Sequence, residues 1–169
     1  MVVEKQNTAT DTAALIIPGV ASNYDRPSRL QSFMLINDST TVAVEVPIFL
    51  IEDDIAALED YYGITIVPKE PVHRARPALC HKPRFITGHI DFLQVRNGSI
   101  HILDYKPDAR TNKPFAQLAA YALALTRLVP GLTLADMSCA WFNEARYNEF
   151  SPGRLLTSRS EKRFFADDF

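Results

Sequence analysis

Gly88-His89-Ile90-Asp91-Phe92-Leu93-Gln94-Val95-Arg96-Asn97-Gly98-Ser99-Ile100-His101-Ile102-Leu103-Asp104-Tyr105-Lys106 decides how this chain reads. Asn97-Gly98 is the dipeptide that two-residue hairpin turns favour, because both of its residues must take positive φ. The flanking runs, Phe85 to Val95 and Ile100 to Tyr105, are rich in apolar and β-branched residues and read as antiparallel strands. The first run is apolar on both faces, which places it inside a sheet rather than at its edge. A two-residue turn also sets the register. Arg96 opposes Ser99, Val95 opposes Ile100, Leu93 opposes Ile102, and Asp91 opposes Asp104. A bulged three-residue turn would shift this register by one.

Opposed residues of an antiparallel pair share a face, with Cβ atoms about 4.5–5.5 Å apart. Leu93, Val95, Ile100 and Ile102 then form an apolar patch with Asp91 and Asp104 at its edge. Two carboxylates so close must share a proton, find cations or bind a metal. Lys106 lies two residues beyond Asp104, on the same face. Hard oxygen ligands of this kind suit Mg²⁺ or Mn²⁺. Asp-x-Lys taken alone also allows a structural ion cluster with Lys106 between two aspartates. The surroundings favour chemistry. Gly88 stands three residues before Asp91, where a small residue lets something approach the backbone, and the flanking residues are strongly apolar.

Downstream, Pro114 to Leu128 reads as a helix that is apolar nearly all round, through Phe115, Leu118, Ala119, Ala122 and Leu125, and is therefore buried against a sheet. Gln117 and Tyr121 stand out as polar residues at i and i+4 on one of its faces. Pro130-Gly131 ends the helix. Met137 to Phe142 is a further strand, and Arg146 to Phe150 pairs with it across Asn143-Glu144-Ala145. Arg110 and Lys113, between Lys106 and the helix, are candidates for phosphate contact or for plain solvation.

Upstream, Val42, Val44, Val46 and Ile48 alternate as in a strand, with Glu45 on the opposite face. A helix is expected from Ser28, as its N-cap, to Ile36, with Leu30, Phe33 and Met34 on one face. The first ten residues are expected to be loose. Residues 52–62 read as a short acidic helix or insertion, and Ile64 to Val67 as a strand. Lys69 to Arg84 is basic and Pro-interrupted, with Lys69, Arg74, Arg76, Lys82 and Arg84 against Glu70. It is a phosphate-contacting loop or a solvated one. The tail from Ser158 carries Phe164, Phe165 and Phe169 and is expected to pack back or to reach a partner.

The 169 residues suit a single domain, with a core over about 28–150, and the formal net charge of -2 rules out a grip on nucleic acid through bulk charge alone. Cys80 and Cys139 belong to no CxxC and build no zinc or iron–sulfur site by themselves. No apolar stretch approaches the roughly 20 residues that span a bilayer, so no membrane association and a cytoplasmic location are expected. Trp141 reads as core, and His89 and His101 as structural.

Three motifs occur in order: Gly88-His89-Ile90-Asp91, Asp104-Tyr105-Lys106 and Gln117-Leu118-Ala119-Ala120-Tyr121. The set resembles the RecB-like branch of the PD-(D/E)XK nuclease superfamily, which carries GxxD, (D/E)xK and QxxxY on strand, strand and helix. Val44-Glu45-Val46-Pro47 is similar to the Glu-containing strand that often precedes the first acid. The resemblance covers roughly residues 42–125. It implies an α/β fold with a restriction-endonuclease-like core, a mixed central β-sheet flanked by helices. It implies a Mg²⁺- or Mn²⁺-dependent deoxyribonuclease of DNA repair or recombination, with DNA as substrate and a helicase or other DNA-processing protein as partner. Asp91, Asp104 and the Tyr105 carbonyl would ligate the metal. Lys106 would orient the attacking water and steady charge on the phosphate. Gln117 and Tyr121 would brace the site or touch the nucleic-acid backbone, and Arg84, Arg110 and Lys113 would meet phosphates. Many such nucleases carry a further His or acid on a helix before the first strand. Ser28 to Ile36 has none, which leaves Glu45, Glu52 or His73 for that role. The four-cysteine iron–sulfur cluster of the CRISPR-associated exonuclease relatives is absent, as is any GxxxxGK[ST] loop. A catalytically inactive nucleic-acid- or protein-binding module on the same fold is the alternative.

Overall fold

The computed structural model describes residues 2–63 and 85–155. In chain order its elements are β1 (Val3–Glu4), α1 (Thr8–Ile16), α2 (Arg26–Asn37), β2 (Thr41–Ile51), α3 (Glu52–Tyr62), β3 (Phe85–Arg96), β4 (Ser99–Tyr105), α4 (Phe115–Leu128), β5 (Met137–Phe142), β6 (Tyr147–Phe150) and α5 (Pro152–Leu155). The strand expected at Ile64 to Val67, the basic loop with Arg84, and the aromatic tail lie outside the described residues. Among the described residues no helix is long and apolar enough to cross a membrane.

The turn between β3 and β4 behaves as its composition demands. Asn97 and Gly98 take φ of 52° and 75°, the mirror-image geometry that matches strand twist. Arg96 pairs with Ser99, Val95 with Ile100, and Leu93 with Ile102. The six strands form one mixed sheet in the order β1-β6-β5-β4-β3-β2. β4 and β5 run parallel, joined through α4, and the other pairs are antiparallel. The architecture is α/β, with helices on both faces, consistent with the restriction-endonuclease-like fold.

Two cores sandwich the sheet. On one face α4 buries Leu118, Tyr121 and Leu125 against Ile48, Leu50, Ile90, Ile102, Cys139 and Trp141. On the other, α1 and α2 set Ala9, Ala13, Ile17, Leu30 and Met34 over Phe92, Leu103, Phe142 and Tyr147. Burying a Leu- or Phe-sized side chain contributes about 1.5–3 kcal/mol, so these layers hold the sheet's central strands in place.

Three expectations need correction at the N-terminal side. Residues 2–10 are not loose. β1 pairs with β6, and Asn7 Oδ1 accepts the Ala9 N–H at 2.9 Å to start α1. Ala9, Ala13 and Ile17, four residues apart, give α1 a buried stripe too small in side-chain volume to register as amphipathic. α2 begins two residues earlier than expected. Asp25 is its N-cap, and Ser28 Oγ donates to the Asp25 carbonyl at 3.0 Å from inside the first turn. Finally, β2 does not alternate cleanly. Val44 packs on the α1–α2 face, whereas Val46, Ile48 and Leu50 pack on the α4 face. The cause is Glu45, whose φ of 51° puts a non-glycine residue in the left-handed region in mid-strand. β3 changes face in step, with Ile90 toward α4 and Phe92 toward α1 and α2.

Candidate active site

The β3–β4 ladder ends at Phe92 and Leu103. The next N–H on that edge of β4 belongs to Tyr105, and Asp91 Oδ2 takes it at 3.0 Å. A carboxylate thus stands where a backbone carbonyl would continue the ladder, and the strands part. Asp91 and Asp104 are therefore not an opposed backbone pair as expected. They meet through a hydrogen bond between their carboxyls. The N–H and C=O of one strand residue point to the same neighbouring strand. The Lys106 N–H goes to the Phe142 carbonyl of β5 at 2.9 Å, while Tyr105 faces Asp91. The Tyr105 carbonyl consequently opens into the same cleft as Asp91.

Asp104 is buried, and Lys106 Nζ lies 3.1 Å from its Oδ2. That oxygen has no hydrogen-bond partner among the described residues, so the contact is an ion pair without an aligned N–H. Burial, then the Asp104 charge and hydrogen bond, push the Asp91 carboxyl up to about 8, against the smaller pull of the Tyr105 N–H and of Lys106. Burial also raises Asp104, opposed by Lys106. Two carboxylates in one low-dielectric site cannot both ionise freely. Both carboxyls are therefore held above the ordinary range, with Lys106 beside Asp104.

α4 closes the site from one side. Gln117 Nε2 donates to Tyr121 Oη at 2.7 Å. Burial pushes the Tyr121 phenol above its ordinary range. A Cβ on Gly88 would lie 2.8 Å from Tyr121 Oη and 2.9 Å from its Cε1. The group that needs a small residue before Asp91 is thus the Tyr121 ring. The structure brings Asp91, Asp104, Tyr105 and Lys106 together, with Gln117 and Tyr121 bracing β3 beside them.

The other expected residues lie around this centre. Val44 pairs with Phe92 and Val46 with Ile90, and the β2–β3 pairing skips Glu45 and Asp91 between them. Its hydrogen bond goes to Gln31 Nε2 of α2 at 2.5 Å, not to either aspartate. Gln31 escaped sequence reading because a lone glutamine in a short helix carries no spacing signal. Arg110 and Lys113 are exposed in the loop after Lys106. Trp141 Nε1 donates to the Ala109 carbonyl at 3.0 Å and Asn143 Nδ2 to the Pro107 carbonyl at 2.9 Å, which pin that loop. Glu52 is exposed at the start of α3, and His73 and Arg84 lie outside the described residues. His89 is exposed, and His101 faces Glu149 at 3.8 Å on the sheet.

The donor set fits a divalent cation of the Mg²⁺ class. Such ions take one or two carboxylates and complete their shell with water and phosphate. Asp91, Asp104 and the Tyr105 carbonyl are hard oxygens. A buried carboxylate oxygen without a hydrogen bond, beside a carboxyl that holds its proton, is what such a charge would relieve. Among the described residues no group of three or more His, Cys, Asp or Glu is placed to hold a metal ion, so an ion here would rest on Asp91, Asp104 and the Tyr105 carbonyl.

A comparison with protein families matches residues 36–158 to the PD-(D/E)XK nuclease superfamily. No curated protein matches the chain.

Proposed function

We propose that this chain, which belongs to the PD-(D/E)XK nuclease superfamily, is an active Mg²⁺- or Mn²⁺-dependent deoxyribonuclease of the RecB-like branch. The observation that carries this reading is the placement of Asp91 and the buried Asp104 at the point where β3 and β4 part, with Lys106 Nζ 3.1 Å from Asp104. Superfamily membership supports phosphodiester hydrolysis, and the intact acid, acid-x-Lys and Gln-x-x-x-Tyr set supports an active enzyme over an inactive binding module.

Hydrolysis of a phosphodiester needs a water aimed at phosphorus, relief of charge on the phosphate and help for the leaving oxygen. Asp91, Asp104 and the Tyr105 carbonyl would hold the metal ion. The bound ion would supply Lewis acidity and a more acidic water. Lys106 Nζ lies 3.1 Å from Asp104, where it can donate to the attacking water and to the phosphate oxygens as their charge grows. Tyr121 Oη accepts the Gln117 Nε2–H, which leaves its own proton for a phosphate oxygen. Arg110 and Lys113 add local charge at the mouth of the site, which a near-neutral protein needs in order to hold a polyanion.

The test is incubation of the purified protein with linear, circular and single-stranded DNA, and with RNA, in Mg²⁺ or Mn²⁺. Cleavage of DNA that Asp104→Ala abolishes is the expected result. Cleavage that survives Asp104→Ala sinks the assignment of the site. DNA binding without hydrolysis, unaltered by Lys106→Ala, favours the binding module.

A further inference from the structure

β4 loses its β3 partner where the cleft opens. The β3–β4 ladder ends at Phe92 and Leu103, whereas the parallel ladder to β5 runs on to Tyr105 and Phe142. Lys106 lies beyond the last residue of β4, and Pro107 after it has no N–H with which to continue a ladder. A strand end supported on one side and leading into a loop is where a sheet frays first. Here four consecutive residues hold it. Trp141 Nε1 donates to the Ala109 carbonyl at 3.0 Å, and the Phe142 carbonyl accepts the Lys106 N–H at 2.9 Å. Asn143 Nδ2 donates to the Pro107 carbonyl at 2.9 Å, and Glu144 Oε1 accepts the Tyr105 hydroxyl at 2.9 Å. Three of the four bonds use side chains. The Asn143 amide is itself fixed, because its Oδ1 accepts the Ala145 and Arg146 N–H groups at 2.9 Å each, which leaves Nδ2 for Pro107. The Tyr105 ring is 4 % exposed and packs edge-on against Phe142, so the tether on its hydroxyl resists rotation of the strand about its axis.

We propose that Asn143 and Glu144, in the turn between β5 and β6, are positioning residues for the reacting end of β4. Glu144 acts through the Tyr105 hydroxyl. That tether fixes the N–H that Asp91 accepts and the Tyr105 carbonyl that opens into the cleft. Asn143 acts through the Pro107 carbonyl. With the bond from the Lys106 N–H to Phe142, it clamps the backbone on both sides of the Lys106 side chain, whose Nζ stands 3.1 Å from Asp104. Such placement matters, since a displacement of about 1 Å at a reaction centre can cost about 10²-fold in rate. The cleft requires β3 and β4 to part, and the turn restores from the β5 side the support that the parting removes.

The role rests on the nuclease reading of the site, and its test separates the two. Amide hydrogen exchange of the full chain without metal reports the clamp with no reaction involved. Asn143→Asp keeps an acceptor for the turn and loses the donor to Pro107. Tyr105→Phe keeps the ring and loses the hydroxyl. Each is expected to speed exchange of the Tyr105 and Lys106 N–H groups about 10-fold, the worth of one hydrogen bond, with Ile102 unchanged. Cleavage of DNA in Mg²⁺ then reports positioning. Tyr105→Phe and Glu144→Ala are expected to lower kcat about 10-fold or more, the range for partners that orient a metal site, at unchanged KM. Glu144→Gln keeps an acceptor for the hydroxyl and is expected to retain the wild-type kcat. Thermal melts check that each variant folds. Unchanged exchange at Tyr105 and Lys106, or faster exchange with wild-type kcat, overturns the inference. So does a Glu144→Gln enzyme as slow as Glu144→Ala. A wild-type chain that cleaves no DNA overturns the nuclease reading instead, and the exchange result still decides whether the clamp exists. Should Tyr105→Phe fail to fold, Glu144→Ala, altered only in a turn, serves both measurements.

Discussion

Asp91 Oδ2 accepts the Tyr105 N–H at 3.0 Å, in the place where the β3 backbone would otherwise continue the ladder. One carboxylate thereby ends strand pairing and opens the cleft it serves. The two roles separate by substitution. Asp91→Asn keeps an acceptor for the Tyr105 N–H and loses the charge. It is expected to fold with a melting temperature close to wild type while nuclease activity falls by about 10²–10³ or more, the range for removing one stabilising group at a reaction centre. Asp91→Ala leaves a buried N–H unpaired and is expected to lose a further 1–3 kcal/mol, roughly, of stability. Urea melts beside a cleavage assay check both, and an active Asp91→Asn enzyme removes Asp91 from the mechanism.

The Asp91 carboxyl is pushed from 3.8 up to about 8, chiefly by burial and then by the Asp104 charge. A raised folded-state value means that the native protein binds this proton more tightly than the unfolded chain. The resulting stabilisation is fully present below the unfolded carboxyl value and is lost as pH rises through the folded one. Metal-free protein should therefore lose this contribution between about pH 4 and 8. A bound cation displaces the proton, so added Mg²⁺ or Mn²⁺ should raise the melting temperature more at pH 8 than at pH 6, roughly in step with the free carboxylate fraction. Asp91→Asn should flatten both trends. A metal-induced shift independent of pH contradicts the shared proton.

Gly88 and Tyr121 form a second dependent pair. A methyl group at Gly88 meets the Tyr121 ring at 2.8–2.9 Å, well inside van der Waals contact. Gly88→Ala is expected to cost about 1–3 kcal/mol as overpacking and to displace the Tyr121 hydroxyl. Tyr121→Phe keeps the ring edge in place and should not relieve the strain. Tyr121→Leu should, so that Gly88→Ala costs less in the Tyr121→Leu background than alone. Additive costs in that double-mutant cycle count against a direct contact.

Much of this geometry is legible because the hairpin dictates it. Asn97-Gly98 admits one turn family, the turn sets the register, and the register brings Asp91 and Asp104 near each other before any tertiary contact is known. The helix bearing Gln117 and Tyr121 declares itself by its apolar circumference. The exact meeting of Asp91 with Tyr105 is not legible, since a side chain that substitutes for a backbone acceptor leaves no pattern in residue spacing. Nor is α1, whose buried face is made of Ala9 and Ala13. The Gln31–Glu45 contact joins a helix to a strand fourteen residues on, through an orientation that only the folded backbone defines. The change of face at Glu45 is hidden most deeply, because Val42-Ala43-Val44-Glu45-Val46 has the composition of an uninterrupted strand.

That concealment gives position 45 a sharp test. Strand propensity ranks valine far above asparagine, and a regular β2 would make Glu45→Val the milder change. The φ of 51° reverses the order. Asparagine tolerates the left-handed region, because its short polar side chain bonds locally, whereas a β-branched residue there is strained. Neither variant carries the carboxylate, and both leave Gln31 without its charged acceptor, so those losses are common to the two proteins. The difference between them reports the backbone. Glu45→Asn is expected to be more stable than Glu45→Val by about 1–2 kcal/mol in chemical denaturation. If Glu45→Val is the more stable protein, β2 is a regular strand in solution. Val44 and Val46 would then share a face, and the change of face at Glu45 would not exist.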